Sequence, residues 1–238
     1  RRVARLATKG LPLAMTVMGD TLLAGVGDTG VISVDVTHPD RPRLLDRYVD
    51  DGFAQDLSVD GELAAVAAKS GGVWILNVSD PRHLRPIAKV SSKHANGVAW
   101  HEGKLFIADG EEGLVVVDMN DPLRPSGLGS LDLTDRTEPR PVDPAPVSVK
   151  VSGRTAYLAG GRRGLLVVDV ADPSAPKLVR ETRTGGFVHD VALDGDRVWL
   201  ADFRKGIMFT PMGDGGVSAR MGSIRVDGQA ARVQPLAG

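Results

Sequence analysis

Residues 153–176, GRTAYLAGGRRGLLVVDVADPSAP, decide the fold. Residues 156–159 (AYLA) form a short apolar run that stops at Gly160-Gly161. Residues 165–170 (LLVVDV) form a second run, rich in β-branched side chains and too short for a typical helix. Both read as buried strands. Upstream, Val147-Ser148-Val149-Lys150-Val151 alternates apolar and polar residues with period two, and Ser152-Gly153 supplies a turn tight enough to reverse the chain. Downstream, Asp172-Pro173-Ser174-Ala175-Pro176 sets a carboxylate that accepts turn amides beside a ring that presets φ. A fourth strand follows at Lys177-Leu178-Val179-Arg180. The unit is a four-stranded antiparallel meander.

The layout recurs along the whole chain. A first-turn glycine stands at Gly19, Gly61, Gly103, Gly153 and Gly195, with spacings of 42, 42, 50 and 42 residues. The glycine opening the third strand recurs at Gly30, Gly72, Gly113, Gly164 and Gly206, followed by VISVDV, VWILNV, LVVVDM, LLVVDV and IMFTPM. The proline turn reads HPDRP, DPRHLRP, DPLRP and DPSAP, and decays to Gly213-Asp214-Gly215-Gly216 in the fifth copy. A lone sheet of this size leaves both faces wet, and a period near forty residues with four strands per period is the mark of sheets packed radially. The expected fold is all-β, a β-propeller of about five four-stranded antiparallel blades in a single domain over residues 1–238. The units fall near 12–52, 53–93, 94–143, 144–185 and 186–227, with partial repeats at 1–11 and 228–238. Residues 2–8 (RVARLAT) read as a fourth strand and residues 229–236 (QAARVQPL) as the opening of a further unit. The ring has either five blades with an irregular closure or six, and five is the preferred reading. A start at Arg1 rather than Met is expected of a mature form or an excised segment.

The runs GLLVVDVADPSAPKLV, GLVVVDMNDPLRP and GVISVDVTHPDRPRLL, with the preceding YLAGG and FIADG strands, resemble the LVIVD-repeat propeller family. The resemblance covers roughly residues 12–227. It implies a bladed ring, and an extracellular, cell-surface or periplasmic setting in bacteria and archaea. It implies no single reaction.

With 29 Lys and Arg against 30 Asp and Glu, the net charge is −1, which argues against broad attraction to nucleic acid or to an anionic membrane. Aromatic residues make up 4%, too few for an extended stacking platform. The absence of cysteine removes disulfides and thiolate metal sites and leaves the compartment open. No apolar run approaches the roughly 20 residues of a spanning helix, so membrane insertion is not expected.

Two sets of residues are candidates for a site. The loops between second and third strands carry Arg162, Arg163, Arg204 and Lys205 in adjacent units, a basic sector suited to a carboxylate, a phosphate or an acidic partner loop. The loops joining one unit to the next end with Asp56, His94, Asn96, His189 and Asp190. The first expectation for these is a tie between blades, through hydrogen bonds to backbone amides. The alternative is a divalent cation such as calcium held over a central funnel, in a metal-dependent hydrolase or lactonase-like enzyme. Asp35, Asn77, Asp118 and Asp169 repeat at one position and read as turn acceptors; Asp109 and Asp202 read as strand-end acceptors. The insertion at 134–143 is a surface loop or a recognition loop. Nucleophile, zinc, P-loop and EF-hand motifs are absent from the sequence. The function expected is a non-enzymatic binding module, with no catalytic residues and no cofactor, presenting its loop face to a protein partner or a surface polymer.

Overall fold

The alternation at 147–151 is realised as a strand at Ser148–Ser152, which reverses at Gly153 and pairs antiparallel with Thr155–Ala159, Val149 facing Leu158 and Val151 facing Ala156. The computed structural model describes residues 4–133, 146–213, 216–217 and 221–234. The insertion at 134–143 lies outside them, as do Asp214 and Gly215 of the decayed turn.

Five sheets follow one another, each built from consecutive antiparallel strands. The first comprises β1 (Ala14–Met18), β2 (Thr21–Gly25), β3 (Val31–Asp35) and β4 (Arg43–Tyr48). The second comprises β5 (Asp56–Asp60), β6 (Leu63–Ala67), β7 (Val73–Asn77) and β8 (Arg85–Val90). The third comprises β9 (Ala95–His101), β10 (Lys104–Asp109), β11 (Gly113–Asp118) and β12 (Ser126–Leu131). The fourth comprises β13 (Ser148–Ser152), β14 (Thr155–Ala159), β15 (Leu165–Asp169) and β16 (Lys177–Thr182). The fifth comprises β17 (Val188–Asp194), β18 (Arg197–Asp202) and β19 (Gly206–Gly213), with β20 (Gly216–Val217) and β21 (Gly222–Ile224) both pairing β19. There is no helix among the described residues. The fold is a five-bladed β-propeller.

Burial grades across each sheet as the composition dictates. The second and third strands, LAAVA and VWILN or TAYLA and LLVVD, are buried almost throughout, whereas the fourth strand KLVRET is largely exposed. A strand buried on both faces drops the period-two pattern and becomes continuously apolar. In three sheets the pairing of third and fourth strands slips by one residue at the same place, between Ser33 and Val34, Ile75 and Leu76, and Val167 and Val168. A bulge repeated at one position is a built feature that sharpens the local twist. Between the first and second sheets, Trp74 is 1% exposed and meets the Tyr48 ring edge-on at 5.7 Å, in a cluster with Leu23, Ala54, Val66 and Leu76.

The glycine that opens the third strand is demanded by sterics. Gly164 has φ +82°, and a Cβ there would run into the carbonyl oxygen of Thr182; Gly30 stands in the same relation to Tyr48. The third hairpin departs from the others. It turns on two left-handed residues, Glu102 (φ 47°) and Gly103 (φ 68°): β9 ends at His101, so Gly103 is the second residue of the turn, whereas β5 runs to Asp60 and Gly61 is the first.

Two ends differ from the reading above. The described part of RVARLAT, residues 4–8, is not a strand; instead Leu6 packs on Ala24, Val26, Ile32 and Val34. Residues 229–234 form no ladder either. The backbone groups at Ala231 and Val233 nonetheless dock on β17, as described below.

By its internal contacts the chain divides into two compact units, Arg1–Leu105 with Asp118–Ser126, and Phe106–Val117 with Gly127–Gly238. The third sheet contributes strands to both.

Candidate functional site

The loops between second and third strands come in two designs. In the first, second and fourth sheets a left-handed residue, Gly27, Lys69 or Gly161, exchanges backbone hydrogen bonds with Ala54, Ala95 or Val188 at the entry to the following sheet. In the third and fifth sheets an Asp ends the second strand and takes over. Asp109 Oδ1 accepts from the amides of Glu111 and Glu112 at 2.7 and 2.9 Å, and Asp202 Oδ1 accepts from those of Arg204 and Lys205 at 2.8 and 3.0 Å. Both carboxylates are fully buried. Burial alone would raise the pKa of Asp202, but the Thr184 hydroxyl and the amides of Arg204, Phe187 and Lys205 outweigh it and hold it below the ordinary value.

Asp202 thereby fixes the backbone from which Arg204 and Lys205 project. Their side chains are exposed and line a cavity of about 630 Å³ together with Arg225, Thr184, Met208 and Ser223. Among the described residues the lining holds three cations and no carboxylate. The other two members of the expected basic sector are placed differently. Arg162 is exposed and does not line this cavity. Arg163 is committed: its guanidinium donates twice to Glu181 Oε2, at 3.0 and 2.8 Å, and once to the carbonyl of Leu133 at 2.6 Å. Desolvation would raise the Glu181 carboxyl, but Arg163 and Arg183 overcome it and pull its pKa down. Arg225 was missed in the sequence. Its one signal was periodic, since it lies 42 residues after Arg183 in a copy whose proline turn has decayed.

The second expected set separates between the two units. In the first, Asp56 Oδ2 accepts from the amide of Val98 at 3.2 Å, and both belong to first strands of neighbouring sheets. Two residues further along each strand, Ser58 Oγ accepts from the amide of Trp100. Asn96, 1% exposed, accepts from the Lys69 ammonium at 3.0 Å, and His94 immediately precedes that strand. In the second unit Asp190, 4% exposed, accepts from Ser148 Oγ at 2.7 Å and from the amide of Val233 at 3.1 Å. His189 Nδ1 donates to the carbonyl of Ala231 at 3.1 Å, and its ring packs 4.8 Å from Phe203. The repeat period is visible in these partners, because Asp56–Val98, Ser58–Trp100, Ser148–Asp190 and His189–Ala231 are all 42 residues apart. Among the described residues no three His, Asp or Glu side chains are grouped to hold a metal ion.

The turn acceptors sit where they repeat. Asp35, Asn77, Asp118 and Asp169 each accept from the amide two residues on, at 2.9–3.0 Å.

The LVIVD repeat pattern matches residues 51–90, 92–132 and 147–184, together half of the chain. The chain belongs to the LVIVD-repeat family. The matched copies are the second, third and fourth sheets of this LVIVD propeller, so the Asp56, His94, Asn96 and Lys69 group lies within them. The cavity of Arg204, Lys205 and Arg225 lies beyond them, in the fifth sheet.

No curated protein matches the LVIVD propeller by sequence. Solved structures match by shape. A chain of the mitotic checkpoint complex gives a TM-score of 0.71 at 14% identity, over 95% of this chain and 69% of that one. The Myceliophteria thermophila Cps50 (Swd1) β-propeller domain gives 0.69 at 14% identity, over 95% and 77%. The computationally designed Ika8 protein gives 0.66 at 11% identity, over 89% of this chain and 61% of that one. Identities this low establish the fold alone.

Proposed function

We propose that this LVIVD propeller is a non-enzymatic binding module whose fifth sheet receives an acidic segment of a protein partner, in an extracellular, cell-surface or periplasmic setting. One observation carries the reading: Arg204, Lys205 and Arg225 converge on an open cavity that, among the described residues, no carboxylate lines. Cations on loops are ordinarily dispersed among acidic neighbours, as Arg163 and Arg183 are around Glu181. Here a chain of net charge −1 keeps a local positive patch unneutralised, and the patch sits on backbone that a buried Asp202 holds rigid. Guanidinium groups bind carboxylates in a bidentate manner, and such contacts set specificity and on-rate more than bulk affinity. Chains of similar fold occur in the mitotic checkpoint complex and in a nidogen/laminin complex. That makes a protein partner the natural occupant.

The test uses a fluorescent deca-glutamate peptide and the full chain. Binding is expected to weaken as salt rises. It should fall at least tenfold on charge reversal of Arg204, Lys205 and Arg225 together, with the melting temperature unchanged. Equal affinity of wild type and the triple variant would sink the proposal, as would preferential binding to an anionic polysaccharide.

A further inference from the structure

The loop after β6 carries a lysine where two of its counterparts carry a glycine. The backbone design is the same in three sheets: Val26, Ala68 and Gly160 each donate at 2.8 Å to the carbonyl of the closing glycine, Gly30, Gly72 and Gly164. The next residue is left-handed in all three, at φ 53°, 55° and 57°, and makes the same two-way bridge to the following sheet. At two of these places it is Gly27 and Gly161. At the third it is Lys69.

A side chain in this conformation crowds its own carbonyl, and glycine avoids the penalty. Since glycine makes every one of these backbone hydrogen bonds elsewhere in the chain, the lysine adds nothing to the turn itself. Strain retained at one copy of a repeated position points to what the side chain does. The Lys69 ammonium donates to Asn96 Oδ1 at 3.0 Å, and no carboxylate meets it among the described residues. It is half-buried, and burial lowers its pKa. A partly desolvated cation balanced only by an amide dipole is poorly compensated, and an anion is what compensates it.

We propose that Lys69, oriented by Asn96, is the cationic anchor of a carboxylate-binding site on the loop after β6, in the first unit and separate from the fifth-sheet cavity. One ammonium with two N–H groups left over matches a carboxylate monoanion in charge. Asn96 fixes the direction of approach by holding the third N–H. The reading does not depend on the function proposed above, because the residues and the unit are different.

The experiment is a titration of the full chain with sodium acetate, followed by the side-chain ¹³Cε signals of its lysines, with sodium chloride at matched ionic strength as control. The Lys69 signal, assigned by its loss in Lys69→Gly, is expected to move along a saturating curve with acetate and not with chloride. Exposed Lys177 should show only a shallow linear drift. Lys69→Gly is expected to raise the melting temperature, because Gly27 and Gly161 already hold that conformation. Equal responses to acetate and chloride, or a Lys69 response no larger than that of Lys177, would overturn the proposal. So would a lowered melting temperature in Lys69→Gly, which would make the contact with Asn96 a structural tie.

Discussion

Ser148 Oγ donates to Asp190 Oδ1 at 2.7 Å, and both residues are buried. They occupy the same position in two successive first strands, 42 residues apart. The other oxygen of Asp190 accepts from the amide of Val233, 43 residues further on. The carboxylate therefore serves two neighbours at once. Asp56 accepts in the same way from the amide of Val98. These bonds join elements that the sheet ladders leave separate, and a buried acceptor that loses its donor has no water to replace it.

Asp190→Ala is accordingly expected to cost about 2–3 kcal/mol of unfolding free energy, because it strands the Ser148 hydroxyl and the Val233 amide together. Ser148→Ala removes one donor from a carboxylate that keeps another, and should cost about 1 kcal/mol. Denaturant midpoints measure both. Limited proteolysis gives an independent readout, since Asp190→Ala should expose the chain around Val233 to cleavage that the wild type resists. Equal midpoints for Asp190→Ala and wild type would show that the pair carries no stability.

The two tyrosines of the chain report on alkaline stability. Burial, then the Asp50 carboxylate, push the Tyr48 phenol up to about 12, and burial raises Tyr157 against a weaker opposing bond from Thr155. In the unfolded chain both phenols titrate near pH 10. Above that the unfolded state sheds protons that the folded state keeps, so this contribution to stability is whole below about pH 10 and is lost as pH climbs toward the folded values. A spectrophotometric titration of the native protein should show less phenolate at about pH 10.5 than the denatured chain does, with Tyr48 still protonated. Denaturant should release both at the same pH. A native titration with both phenolates forming at the unfolded midpoint would contradict the packing of the half-buried Tyr48 and the buried Tyr157.

Much of this was legible in the residues. Glycines at a fixed period announce themselves because left-handed turns favour them, and at the opening of the third strand a Cβ would also meet a carbonyl; the five copies followed from them. Asp35, Asn77, Asp118 and Asp169 were readable as turn acceptors because the bond they make is local, two residues along the chain. Arg163 was not readable. Its partner Glu181 stands across the sheet on β16, and a side-chain pairing of that kind leaves no mark in spacing. Arg225 hid in a divergent copy. The oddity of Lys69 was present in principle, since aligning GDTG, KSGG and GRRG on their last glycine sets a lysine over two glycines. Only its φ in the structure shows that the backbone does not change to suit it.

Glycine substitutions separate conformational strain from collision. Gly153 has φ +54° with open space around the missing Cβ, whereas Gly164 has φ +82° and faces the carbonyl of Thr182. Gly153→Ala is expected to cost about 1 kcal/mol, the left-handed penalty alone. Gly164→Ala should cost about 3 kcal/mol or more, since backbone atoms must also move. Gly127, on the exposed fourth strand with ordinary φ and open space, is the control and should gain about 0.5 kcal/mol or stay level as Ala. Urea midpoints rank the three. A Gly164→Ala variant no weaker than Gly153→Ala would mean that the third strand yields where the packing says it does not.

Asp202 links acid stability to the fifth-sheet cavity. Its pKa lies below the ordinary carboxyl value in the folded chain, so the folded state keeps the charge while the unfolded state takes up a proton. The resulting contribution is complete above about pH 4 and disappears as pH falls through the folded pKa. Asp202→Asn should therefore sit about 1–3 kcal/mol below wild type at pH 7, with the gap narrowing as pH falls below about 4. The same variant weakens the acceptor for the amides of Arg204 and Lys205 without touching their side chains. Deca-glutamate binding at pH 7 is then expected to fall several-fold, although every cation remains. A stability gap that stays constant from neutral to acid pH would show that the Asp202 charge is not what braces the loop.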